Sequence, residues 1–178
     1  MHYIALFGSV NVGGNRLKMT DLRDAMERED FENVETVIAS GNVLFTHEER
    51  PVEGLNDKLA YVMQEHFDID CLALVLTRDQ LRTAIEENPF AADGDEKQVH
   101  THFLEMQPSQ EQFDAMVDVY SERGPERLAL GTKALFVDYV EGVGRSRLTG
   151  PFIERRLDTR NTARNISSLK RILAKMPA

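Results

Sequence analysis

Tryptophan is absent from the 178 residues, cysteine occurs once, and no apolar run approaches the roughly 20 residues needed to span a bilayer. Each scarcity excludes something. Cys71 cannot close an intrachain disulfide, and because it opens the apolar run Cys71 to Leu76 its thiol is expected to be buried; such a chain suits a reducing cytoplasm. The opening Met1-His2-Tyr3-Ile4-Ala5-Leu6-Phe7 enters a strand-like run without the basic region or cleavage site of an export signal, so no membrane partner is expected. Signature motifs are also missing. Gly8 and Gly13 have the spacing of a phosphate loop, but Gly14 stands in the lysine place and Asn15 in the Ser or Thr place, which argues against ATP hydrolysis of that type. Gly142-Val143-Gly144 is followed by Arg145-Ser146-Arg147, so no dinucleotide fingerprint exists. Ser9, Ser40 and Ser146 lie in no nucleophile-elbow pattern, and nothing pairs them with a base. His100 and His102 would share one face of a strand, but with no third ligand at a telling distance they read as an ordinary polar strand face. No catalytic residue, metal or cofactor is identified.

What is present is a division of charge. From Arg145 onward nine lysines and arginines face two acids, a surplus of seven positive charges, whereas the preceding 144 residues carry a surplus of sixteen negative ones. Such asymmetry points to an interaction surface for something anionic. The net charge of −9 argues against the whole surface being a nucleic-acid platform, leaving only the C-terminal segment for that role. With 42% hydrophobic and 29% charged residues, the chain can bury a substantial core.

The elements follow from periodicity. Tyr3 to Phe7 reads as a buried strand, and a glycine-rich loop then leads to Thr20 as N-cap of a helix over roughly 21–29. Val34 to Ala39 and Val43 to Thr46 form a hairpin around Ser40-Gly41-Asn42. Leu55, Leu59, Val62, Met63 and Phe67 recur at helical spacing, and Cys71 to Thr77 returns to strand. An added helix starts near Arg78 and stops at Asn88-Pro89-Phe90. The pattern restarts with a strand over 99–106, a helix through Phe113, Met116 and Tyr120, a hairpin around Gly131-Thr132, a helix opened by Thr149-Gly150-Pro151, a weak strand near 159–163, and a last helix capped by Asn165. The expectation is an α+β chain of two ferredoxin-like βαββαβ plaits packed together, with one additional helix between them and a C-terminal helix. Residues 1–90 form the first, 98–178 the second, and 91–97 a linker.

Two stretches could take an anion. The first joins Asn11, Gly13 and Gly14 of the loop after strand one to Ser40, Gly41 and Asn42, because in such a plait both can emerge at one end of the sheet; equally, these residues could simply turn the chain. The second is the basic block Gly144, Arg145, Ser146, Arg147 and Thr149, joined by Arg164 and Asn165, where glycines admit close approach and arginines grip phosphate or carboxylate. The alternative is that these arginines pair with the acidic body of the chain or make a homodimer contact.

Asn11-Val12-Gly13-Gly14, Ser40-Gly41-Asn42, Asn88-Pro89-Phe90, Gly144-Arg145-Ser146-Arg147-Leu148-Thr149 and Thr162-Ala163-Arg164-Asn165 together resemble the uncharacterised bacterial family catalogued as domain of unknown function 1697. The resemblance implies two ferredoxin-like plaits and supplies no substrate. The sequence departs from the family pattern at Gly8-Ser9, where an arginine and a glycine usually stand, and at Ile166-Ser167-Ser168, where the family usually has Trp, Asn and Thr. If that tryptophan stacks on a ligand ring in relatives, the contact is lost in this sequence. Nucleic-acid binding finds little help either, since neither Tyr3 to Phe7 nor Val43 to Phe45 has the basic-aromatic pattern of an RNA-binding plait. The expected role is therefore binding of a small phosphorylated or carboxylated ligand.

Overall fold

The structure, a computed structural model, describes residues 1–8, 17–39 and 41–178. Asn11, Gly13, Gly14 and Ser40 of the expected site lie outside the described residues. The elements are β1 (His2–Phe7), α1 (Met19–Arg28), β2 (Glu32–Thr36), β3 (Asn42–Thr46), α2 (Val52–Phe67), β4 (Ala73–Thr77), α3 (Arg78–Glu86), β5 (Val99–Leu104), α4 (Gln110–Tyr120), β6 (Arg127–Gly131), β7 (Ala134–Asp138), α5 (Gly150–Leu157), β8 (Asn161–Asn165) and α6 (Ile166–Lys175). They build two four-stranded antiparallel sheets of order β2-β3-β1-β4 and β6-β7-β5-β8, so the βαββαβ plait occurs twice. Two compact units result, Met1–Leu81 with Arg171–Ala178, and Arg82–Lys170; residues 91–97 lie within the second as turns. Among the described residues no helix is long and apolar enough to cross a membrane.

In the first unit Tyr3, Ala5 and Phe7 alternate onto one face of β1 and pack with Val43, Phe45, Ala73 and Val75 beneath Leu22, Met26, Leu55, Leu59 and Met63. Burial of each large apolar side chain there contributes about 1.5–3 kcal/mol. Helix α1 begins at Met19, with Lys18 in the cap place and no side-chain cap, instead of being capped by Thr20. Leu17 is buried and Met19 packs against the same core, so apolar anchoring at the entry outweighs a hydroxyl cap.

The second unit repeats the design with Leu104, Leu135, Val137 and Tyr139 under Met116, Tyr120, Phe152, Ile153 and Leu157. Ser109 and Gln112 form a reciprocal capping box on α4. Asn165 caps α6 as expected, its Oδ1 accepting from Ser168 N at 2.8 Å. Strand β8 starts at Asn161, later than the expected 159–163, because Asp158 turns left-handed at φ +51 and the Thr159 hydroxyl accepts from Met106 N at 2.9 Å.

The two histidines depart further from expectation. By register His100 and His102 lie opposite Val137 and Leu135, on the face that carries the core, and not on a solvated polar face. His102 is 3% exposed. Asn161 donates through Nδ2 to Gly150 O (3.2 Å), so its Oδ1 accepts from His102 Nδ1 (3.0 Å). His102 Nε2 is then left to accept from the Tyr139 hydroxyl (2.9 Å), which also lies 3.0 Å from Leu148 O. Burial is the main cause that depresses the His102 pKa to about 4, from an ordinary value near 6.5. Between these values the unfolded chain binds a proton that the folded chain refuses. The neutral ring's contribution is therefore complete above about pH 6.5 and is lost as the pH falls toward 4, by an order of 3 kcal/mol. Urea unfolding of His102→Gln across this window should show a pH slope smaller by up to one proton than the parent; an unchanged slope would show that His102 is not the titrating group.

Candidate functional site

The loop after β7 starts from an anchored strand end. Arg127 donates through Nε and Nη2 to Asp138 Oδ2 (3.1 and 2.6 Å), forks onto Asp93 (3.2 and 3.0 Å), and stands 4.7 Å over the Phe90 ring. The free oxygen of Asp138 accepts from Val140 N at 3.0 Å. Val140 has φ +53, and Glu141 N donates back to Tyr139 O at 2.5 Å, which closes a three-residue turn around a β-branched residue in the left-handed region. Gly142 follows at φ +107, where a side chain would be strained. A single 3-10 turn, Val143–Arg145, then delivers Ser146 in extended conformation.

Ser146 fixes this loop from beneath. Its hydroxyl donates to Glu126 Oε1 at 2.5 Å, accepts from Leu148 N at 3.0 Å, and lies 3.5 Å from the Tyr120 hydroxyl. Glu126 Oε2 is buried without a partner among the described residues. It occupies the hollow over Gly124, where a Cβ would stand 2.1 Å from it. Burial is the first cause that raises the Tyr120 and Tyr139 hydroxyl pKa values, and the Glu126 charge pushes both in the same direction. Glu126 thus lies next to phenols that remain protonated.

A cleft of ≈ 190 Å³ opens above this latch, lined by Arg123, Glu126, Glu141, Arg145, Ser146 and Arg147 among others. Arg145 and Arg147 are exposed, and neither guanidinium has an ion pair or hydrogen bond among the described residues. Other cations do have partners: Arg127 on Asp93 and Asp138, Arg160 on Glu105 (2.7 Å), Lys170 on Glu96, and Arg156 over the Phe152 ring at 5.5 Å. Among the described residues Arg155, Arg171 and Lys175 are unpaired too, but they stand on the exposed faces of α5 and α6. A wider depression of ≈ 640 Å³ beside Met1, Arg50 and Gln80 has its guanidinium, that of Arg50, paired with Glu48, and the Met1 ammonium there donates to His47 O at 2.8 Å.

The remaining expected residues go elsewhere. Gly144 lies in the 3-10 turn with open space where its Cβ would be, and Thr149 caps α5, its hydroxyl accepting from Phe152 N at 3.3 Å. Arg164 sits on β8, where its Nη1 donates to Thr162 Oγ1 and Ala163 O, both at 2.8 Å; burial holds its pKa down to about 10, so it remains charged at neutral pH. The cleft adjoins β6 at one edge of its sheet whereas Arg164 and Asn165 belong to β8 at the other, about three strand spacings, or roughly 14 Å, away. Arg145 and Arg147 are brought together; Arg164 and Asn165 are not brought to them. In the first unit, Leu6 pairs with Asn42 and Phe7 N donates to Gly41 O at 2.8 Å, so Gly41 and Asn42 do stand beside the end of β1. Sequence reasoning missed Tyr120, Arg123, Glu126 and Glu141. The hairpin offered a signal: counting back from Gly131 opposite Ala134 places Arg127 opposite Asp138, and hence Glu126 beside the start of the basic loop. Among the described residues no three His, Cys, Asp or Glu gather as a metal site.

A β-branched residue in the left-handed region costs on the order of 1–3 kcal/mol, more than the roughly 0.5–1 kcal/mol of chain entropy that glycine adds. Val140 is 48% exposed and loses little packing. Thermal unfolding of Val140→Gly should therefore give a midpoint a few degrees above the parent. A lower midpoint would mean that the turn stores no strain.

No curated protein matches the chain. Among solved structures it is similar to that of the conserved bacterial protein SP0830 from Streptococcus pneumoniae, with 23% identity over 97% of this chain and 96% of the other and a TM-score of 0.72, a likeness of fold. Residues 1–136, well over half of the chain, match the family described as Protein of unknown function (DUF1697), and the chain belongs to that family.

Proposed function

We propose that the cleft beside β6 binds a small phosphorylated or carboxylated ligand through Arg145 and Arg147. One observation carries this reading: two adjacent guanidiniums flank a cleft without any partner among the described residues, in a chain where Arg50, Arg127, Arg160 and Lys170 are each matched to a carboxylate. Two unpaired like charges on one short loop repel each other, and an entering anion relieves that repulsion while accepting from planar, forked donors. Ser146, fixed on Glu126, limits the conformational freedom the loop would lose on binding. The first candidate patch contributes Gly41 and Asn42 at the end of β1 and is not needed for this reading. The basic segment is divided between roles: Arg160 and Lys170 hold the fold, whereas Arg145 and Arg147 serve the cleft.

Stability and binding should respond differently to loss of the two arginines. In Arg145→Gln/Arg147→Gln the repulsion disappears, so the melting temperature should be unchanged or slightly higher. A binding anion at about 100 times its dissociation constant should add about 2.7 kcal/mol to the parent, roughly 5–10 °C, and nothing to the double variant. Differential scanning fluorimetry with inorganic phosphate, sugar phosphates, nucleotides and carboxylates measures both. Loss of stability in the double variant, with no ligand-dependent shift in the parent, would make these arginines part of the scaffold.

A further inference from the structure

The charges around the cleft restrict the ligand further, a restriction that rests on Arg145 and Arg147 holding an anion there as proposed. Ser146 is extended, with φ −75° and ψ 143°, so its neighbours at the preceding and following positions project to the side opposite its own side chain. Ser146 is held on Glu126 at the base of the cleft, and Arg145 and Arg147 on either side of it both line the same cleft. Arg123, which also stands 5.9 Å over the Phe152 ring, lines the cleft with Arg145 and Arg147, and so many guanidiniums favour a doubly charged anion over a singly charged one. A phosphate monoester carries nearly two charges near neutral pH, with a second pKa near 6, and presents three terminal oxygens to paired forks; a carboxylate carries one charge and two oxygens. At about 30 Å³ per water, 190 Å³ holds about six waters, enough for a phosphate group and a short stem.

The opposite charge in the cleft is as informative. Glu141 lines the same cleft, is exposed, and has no ion pair or hydrogen bond from its carboxylate among the described residues. Glu126 is spent on Ser146, but the Glu141 oxygens are open acceptors close to the anion seat. A ligand that was only an anion would be repelled by Glu141. A ligand whose stem bears a hydroxyl or ammonium would instead donate to it, and hydrogen bonds to a charged acceptor are the stronger ones. We infer that the cleft selects a small phosphate monoester whose carbon stem carries a hydrogen-bond donor, with Arg145 and Arg147 on the phosphate and Glu141 on the donor. The residues thus divide into an affinity pair and a specificity residue.

The test is calorimetric titration of the full chain with four probes: inorganic phosphate, propyl phosphate, glycerol 3-phosphate and phosphoethanolamine. At pH 7.5 one or both donor-bearing esters should bind about tenfold more tightly than propyl phosphate, and affinity should fall as the pH drops through 6 and the phosphate loses its second charge. Glu141→Gln should bring propyl phosphate and the donor-bearing esters to within about twofold of one another without abolishing binding. Arg145→Gln/Arg147→Gln should abolish all of it, and circular dichroism confirms that each variant is folded. Equal binding of propyl phosphate, or a preference that survives Glu141→Gln, would overturn the inference while leaving the anion site standing. Succinate binding as tightly as the esters and without the pH dependence would overturn the assignment to phosphate. Failure of all four probes and of succinate would remove the site itself.

Discussion

The Tyr139 hydroxyl is the point on which the second unit turns. It has one proton for two acceptors, the Nε2 of a neutral His102 and the carbonyl of Leu148, all within 3.0 Å and all buried. Through it the core of the β6-β7-β5-β8 sheet holds the far end of the basic loop, and Asn161 reinforces the link by bridging His102 to the carbonyl of Gly150. A polar group without a partner at such depth is costly, so the single Tyr139 proton shared between two acceptors ties the two ends of this chain together. The neutral histidine and protonated tyrosine are therefore conditions of the fold.

The near end of the loop is set by different means. Arg127 fixes Asp138, Asp138 fixes Val140 N, and Val140 is then forced into a conformation that a β-branched residue avoids. Gly142 completes the bend and the Ser146–Glu126 hydrogen bond completes the anchoring. The loop is thus clamped at both ends and latched between, and its two arginines, Arg145 and Arg147, are used by no clamp among the described residues. Local strain and an uncompensated charge pair coincide in one short segment. The proposed binding rests on that coincidence, since the exposed pairs Arg50–Glu48 and Lys170–Glu96 are worth little singly.

Much of the architecture was legible because it depends on local order. The uninterrupted apolar run of β1, the helical spacing of Leu55, Leu59, Val62 and Met63, the turn at Gly131-Thr132 and the cap at Asn165 each express their geometry within a few residues. The basic character of the segment holding Arg145 and Arg147 was legible from charge alone, whereas their separation from Arg164 was not, because it follows from strand order and not from sequence distance. His100 and His102 were misread for the same reason. Alternating polar residues look like a solvated face, and only Tyr139 and Asn161, 37 and 59 residues further along than His102, turn that face inward. Glu126 was hidden among many acids; its partner Ser146 lies 20 residues away and meets it only once the hairpin is registered.

The central claim is that Arg145 and Arg147 form an unneutralised anion seat, whereas Arg127 and Arg160 are matched to carboxylates. Nitrogen-detected NMR of the arginine guanidinium groups during a titration with inorganic phosphate tests this most directly. Saturable shifts are predicted at Arg145 and Arg147 with one common dissociation constant, and none at Arg127 or Arg160, whose charges are already matched. Small, non-saturating shifts spread evenly over all arginines, or saturable shifts at the paired ones, would contradict it.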